Sequence, residues 1–318
     1  MEKGDGPQSD LAVDSRDTPA RSLSLESTAE HDRGPSPFSF LRSIGCSFGD
    51  LTLRVAAREA VRSTRTPAGP ATLQFTTTEV RAWGDGADWA IAHARDLLGL
   101  ADSPPVSLPA GARSVRLPRT HRIVELLVPI VLEQLVSGAE AGRAFAALVR
   151  HFSEPAPGPF ADLWLPLGAE QLLSIPAAAF PALGALPRQG ATLHELARRA
   201  TRVEEAAAMD AEAAERRLLA FPGVGIWTAR SAMLRGMGHA DAVPLGDYHL
   251  PRIVAFHLTG EARGDDERML ELLEPWRGQR GRIVRWILDT GRTPPRRGPR
   301  MAMRDVDPLG RALVRGLR

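Results

Sequence analysis

Residues Leu218–Arg252 read LLAFPGVGIWTARSAMLRGMGHADAVPLGDYHLPR. The preceding Ala211–Phe221 is rich in good helix formers and free of Gly and Pro, with Leu218 and Leu219 as its apolar edge. Pro222 and Gly223 stop that helix, and Val224 and Gly225 complete a tight hairpin. Ile226 then opens a second helix that runs to about Met237. Gly is required where φ is positive or where another backbone comes close. The free amides at the start of the second helix, with the positive end of its dipole, suit a phosphate oxygen and read no base. Taken alone, the turn is also an ordinary packing corner between two helices. The loop downstream changes the balance. It carries one carboxylate, Asp247, just ahead of another helix. An anion cradle and a fixed carboxylate in one short stretch point to chemistry on DNA.

PGVGIWTA followed by VPLGDYHLPR resembles the helix-hairpin-helix DNA glycosylase superfamily, and within it the bacterial DNA-3-methyladenine glycosylase II branch. The resemblance runs from about Phe38 to the C-terminus. Besides Leu218–Arg252, it is strongest in Glu133-Gln-Leu-Val-Ser137 and Pro275-Trp-Arg-Gly278. It implies a monofunctional base-excision enzyme that flips a damaged base out of duplex DNA and cuts its N-glycosidic bond. Alkylated purines of the 3-methyladenine type are the implied substrates, and damaged double-stranded DNA is the implied partner. The alternatives are a non-catalytic hairpin protein that only binds DNA, or a glycosylase for a different damaged base.

Asp247 suits the catalytic role on chemical grounds. Departure of a purine develops oxocarbenium character on the sugar. A carboxylate beside C1′ stabilises that charge and orients or deprotonates the attacking water. Asp247 is equally suited to cap the helix that begins near Tyr248, and the two roles are compatible. The hairpin residues expected on phosphate are Gly223, Val224, Gly225 and Thr228. In the family, a leucine at the position of Leu135 fills the gap left by the flipped base, so Gln134 and Leu135 are the expected wedge. Read without the resemblance, Leu135 is a core leucine. The expected base pocket is Trp227, Tyr248 and Trp286, since aromatic faces stack on flipped, cationic purines. Ordinary core packing is the competing reading for the tryptophans. Ser231 departs from the family, where that position can carry a stacking tyrosine, and Arg285 competes with Trp286 for the place of a stacking tryptophan.

Composition narrows the chemistry. Lys3 is the only lysine of the 318 residues, so a Schiff-base lyase route has no nucleophile between Gly4 and Arg318. Cys46 is the only cysteine, too few for an iron–sulfur cluster or an intrachain disulfide, and consistent with a reducing cytoplasm. No zinc-ligand spacing is present, and no cofactor or metal is expected. No apolar run is long enough to span a membrane, and the N-terminus has no secretory pattern. The expected setting is cytoplasmic, on the nucleoid in a bacterium, and the expected state is a monomer. Net charge is only +2. Its distribution is uneven, with Arg277, Arg280, Arg282, Arg285, Arg292, Arg296, Arg297, Arg300, Arg304, Arg311, Arg315 and Arg318 against Asp289, Asp305 and Asp307. A basic end of this kind suits a phosphate backbone.

The fold class expected is α+β, in three parts. Residues 1–36 are polar and Pro/Gly-rich and read as a disordered tail. Residues 37–110 read as a small antiparallel-sheet domain with strands at 51–56, 71–76 and 79–83 and a helix at 88–98. Residues 111–318 read as the helical glycosylase region. Its helices are expected at 121–136 (with a kink at Pro129), 138–152, 169–174, 192–209, 250–258, 265–273 and 281–288, and 177–189 is expected to be loop-rich.

Overall fold

The computed structural model describes residues 20–25, 38–46 and 48–295. The arginines from Arg296 onward, Lys3 and most of the expected tail lie outside these residues. The strands are β1 (Arg21–Ser24), β2 (Leu53–Val55), β3 (Glu59–Thr66), β4 (Gly69–Thr76) and β5 (Glu79–Trp83). They form one antiparallel sheet in the order β1-β5-β4-β3-β2. α1 (Ala87–Leu97) packs across β4 and β5. Behind the sheet, Val61 and Trp83 pack with Phe160, Leu163 and Leu165.

Two strands depart from the sequence reading. β1 lies within the stretch expected to be disordered. It orders because Leu23 and Leu25 reach the core while Arg21–Ser24 pair along β5. β3 was not expected, because its arginines hide the pattern. Both of its faces are covered, so Arg62, Ser63 and Thr64 are buried beside Ala60 and Val61 and alternation disappears.

The rest is helical: α2 (Ala110–Arg113), α3 (Ile123–Leu132), α4 (Gly138–Phe152), α5 (Ala169–Ser174), α6 (Ala179–Ala182), α7 (Pro187–Arg198), α8 (Ala200–Glu204), α9 (Ala211–Leu219), α10 (Ile226–Gly236), α11 (Leu250–Thr259), α12 (Asp266–Leu273) and α13 (Arg280–Asp289). The fold is therefore α+β, a mostly helical body with a small antiparallel sheet. Every residue of α3 is buried; all are apolar except Glu125, which accepts from Thr64 Oγ1 and Arg65 N. α4, α7, α8 and α10 pack against it. Pro129 sits inside α3 without ending it. The single helix expected over 192–209 is instead α7 and α8, separated at Arg199 by a non-helical backbone (φ −116°, ψ 30°). The apolar core is continuous from Phe38 to Ile287, across the boundary expected at 110.

Candidate DNA-binding and catalytic site

The hairpin between α9 and α10 has the form its residues require. Gly223 has φ +83°, and a Cβ there would lie 1.9 Å from Thr192 Oγ1, so only glycine fits. Val224 is buried, and its amide donates to Phe221 O at 3.0 Å. Gly225 caps α10 with no side chain and has open space around its Cα. The first amide inside the α10 ladder is that of Ala229, which donates to Gly225 O. The amides ahead of it point out of the helix end beside Gly225. An anion can reach them there because nothing stands over that glycine.

Thr228 does not present its side chain to this surface. The 3.6-residue period turns it inward; it is 2% exposed, and its Oγ1 accepts from Gln134 Nε2 at 2.8 Å. The same Gln134 Nε2 donates to Gly223 O at 3.0 Å. In the free protein Gln134 is thus a brace between the hairpin and the 133–137 turn. Leu135 is the residue that projects. It holds φ +60°, rare for a side-chain-bearing residue, and is 72% exposed. The core reading of this leucine does not hold. Gln189, buried in the first turn of α7, fixes the turn from below by donating to Leu132 O and Gln134 O at 3.0 and 2.8 Å. Ser137 and Glu140 close the far side with a capping box on α4.

Asp247 lies in the loop after α10 and is half-buried. Its Oδ1 accepts from the amides of His249 and Leu250, both at 2.8 Å, which caps α11. Its Oδ2 accepts from Trp227 Nε1 at 2.9 Å. The capping bonds orient the carboxylate, and the indole ties it to the first turn of α10. Gly246, at φ +79°, lets the loop turn, and its amide donates to Asp266 Oδ2 at 2.7 Å. Asp266, Gln189, Thr192 and the pair Glu133–Arg235 support the site without having been singled out in the sequence. Their spacing in the chain offers no local signal. Contacts around α3, α7 and α10 reveal them, and for Asp266 the contact between α12 and the Gly246 loop.

The three expected pocket aromatics do not converge. Trp227 stands beside Asp247. Tyr248 is 86% exposed and turns outward, its ring meeting only His249 edge-on among the described ring contacts. Trp286 packs on Gly111 of α2 and against His257 of α11, a structural seam rather than a pocket wall. Its neighbour Arg285 lies one turn beyond Gly281, which abuts the carbonyls of Ala240 and Ala242. Burial depresses the Arg285 guanidinium; Asp289, at 2.9 Å, works the other way and Arg235 adds like-charge repulsion. Ser231 is buried on α10.

The described part of the basic end is also less free than its charge suggests. Arg277, Arg280 and Arg285 are ion-paired with Glu274, Asp241 and Asp289, and Arg282 is fully buried against Asp102. Cys46 is buried, and burial with the carboxylates of Glu133 and Asp50 pushes its thiol up to about 12. It is no nucleophile at neutral pH. Among the described residues, no group of three or more His, Cys, Asp or Glu could hold a metal ion, and no helix is long and apolar enough to cross a membrane.

No protein-family model matches the sequence, and no curated protein matches it. Solved structures do. A 3-methyladenine DNA glycosylase from Archaeoglobus fulgidus aligns with 84% of this chain and 97% of its own, at TM-score 0.66 and 16% identity. An 8-oxoguanine glycosylase/lyase from Clostridium acetobutylicum, solved with double-stranded DNA containing cytosine opposite 8-oxoguanine, aligns with 78% of this chain and 89% of its own, at TM-score 0.57 and 12% identity. Identities this low speak to fold, and the two neighbours differ in substrate. The chain has the helix-hairpin-helix DNA glycosylase fold, as the reading of Leu218–Arg252 implied.

Proposed function

We propose that the chain is a monofunctional DNA glycosylase that hydrolyses the N-glycosidic bond of alkylated purines, 3-methyladenine foremost, and leaves an abasic site. The observation that carries this reading is the setting of Asp247. Its carboxylate is fixed by two loop amides and by the indole N–H of Trp227, on the first turn of the helix whose open end suits a phosphate. A DNA strand held at Gly225 and the α10 amides brings a sugar toward this carboxylate. Negative charge there favours the oxocarbenium-like transition state and aligns water for attack at C1′. Leu135 fills the space vacated by the flipped nucleotide and offsets part of the unstacking cost, a few kcal/mol. The Trp227 ring, half-buried and fixed through its Nε1, supplies a π face for a cationic purine. The single lysine, Lys3, supports hydrolysis without strand cleavage.

A hairpin protein that only binds DNA would have no use for a carboxylate held beside a polyanion. Base release from methylated duplex DNA tests the reading, with Asp247→Asn as the control. Asparagine keeps the helix cap and removes the charge. The expected outcome is release of 3-methyladenine and 7-methylguanine by the wild type. Asp247→Asn should lose about 10²–10³-fold in rate, with DNA binding retained. No release by either protein, with binding intact, would leave a binder or a different lesion.

A further inference from the structure

Of the larger aromatic side chains among the described residues, Phe48 and Tyr248 are the strongly exposed ones, and Phe48 has no part in the site as described so far. Its ring is 58% exposed and lies against the first turn of α4: a Cβ on Gly138 would be 3.3 Å from Phe48 Cε2. A Cβ on Gly142 would be 2.1 Å from Phe48 O, so the Gly138/Gly142 stripe is what lets this loop lie on the helix. Leu135 stands just ahead of that same turn, across the Ser137 cap.

The loop is rigidly held. Asp50 accepts from Cys46 N and Thr52 N, each at 2.7 Å, and from Thr52 Oγ1 at 2.8 Å. From the other side, Arg235 of α10 donates to Ser43 O and to Gly45 O, and pairs with Glu133, the residue two before Leu135. One arginine thus joins the hairpin helix, the Leu135 turn and the Phe48 loop. In the free protein more than half of this aromatic, like the projecting leucine near it, is left uncovered. That exposure makes physical sense if a partner covers both.

We infer that Phe48 is a second stacking residue on the DNA-facing rim, packing on a nucleobase exposed next to the gap that Leu135 fills. This rests on the glycosylase reading above. Every base has a π face, so such a contact is tolerant of sequence and contributes affinity where stacking has been broken. It assists opening of the duplex and reads no lesion.

The test uses the full chain and two duplexes, one intact and one with a tetrahydrofuran abasic analogue and 2-aminopurine in the opposite strand. Phe48→Ala should weaken binding to the abasic duplex about tenfold while changing intact-duplex affinity less than twofold. Quenching of 2-aminopurine should be seen with the wild type and with Phe48→Tyr, and be lost in Phe48→Ala. Phe48→Ala behaving as wild type while Leu135→Ala weakens binding would overturn the role of Phe48 alone. Weaker binding by Phe48→Ala with quenching unchanged would also overturn it, by showing that the ring only props the loop. A wild type that does not prefer the abasic duplex would count against the glycosylase reading as well.

Discussion

Leu135 holds an unfavourable backbone conformation in view of solvent. A left-handed φ costs a residue with a side chain about 1–2 kcal/mol, and nothing in the exposed ring of neighbours repays it. Strain of this kind persists where the surroundings impose it and function uses it. Gln134, Gln189 and the Ser137–Glu140 box impose it here. Leu135→Gly should therefore stabilise the free protein by about 0.5–1 kcal/mol while lowering the rate of base excision. Leu135→Ala should lower the rate with no such gain, and thermal unfolding beside excision assays separates the two. The place of Asp247 ahead of a helix was legible in the sequence, and the exposure of Leu135 was suggested only through the EQLVS resemblance. That the side chains of Gln134 and Thr228 face each other could not be read from the sequence. An amide and a hydroxyl 94 positions apart carry no periodic signal.

The hairpin shows the same contrast between two glycines of one element. Gly223 needs its positive φ and abuts Thr192, whereas Gly225 has φ −88° and empty space above it. Gly223→Ala should cost about 2–4 kcal/mol of stability, from strain and overpacking together. Gly225→Ala should cost at most about 1 kcal/mol as a poorer cap, yet weaken DNA binding, since a methyl group then covers the amides. Denaturant titration and duplex binding on both variants check the pair. The Pro-Gly-Val-Gly stop and start were plain from composition. The break at Arg199 was not, because residues 192–209 contain no Gly or Pro to mark it; α7 and α8 each pack on α3 on either side of it.

At the scale of the molecule, Arg280 and Arg282, which read as DNA-binding charge, join distant parts of the chain. Asp241, in the loop after α10, accepts from Gly278 N, Arg280 N, Arg280 Nε and Arg280 Nη2. Burial opposes its charge, but the Arg280 hydrogen bonds and charge, with the two amides, outweigh it and hold the carboxyl below its usual range. Its contribution is therefore present above the unfolded carboxylate pKa and lost as pH falls through the folded one. Asp241→Asn should lower stability at pH 7 by about 1–2 kcal/mol, allowing for solvent screening of the partly exposed pair. The difference from wild type should shrink as pH falls below the ordinary carboxylate range, as urea unfolding at each pH would show. An arginine run announces positive charge, but only three dimensions tell a phosphate ligand from a partner of Asp102 or Asp241. That is why the partners of Arg280 and Arg282 could not be read from the sequence, whereas the turn at Gly223 could.

β1 has a consequence in time rather than in space. It pairs with β5, whose residues Glu79–Ala82 are made long after Arg21–Ser24. At ordinary rates of translation the interval is roughly 3–12 s. Throughout it, the first strand to leave the ribosome has no neighbour, and the sheet, once β5 arrives, has an open margin until the early segment returns to cover it. An open margin is where a second nascent chain would add itself. Pairing with β1 covers the margin of β5 and leaves in its place a shorter edge of four residues.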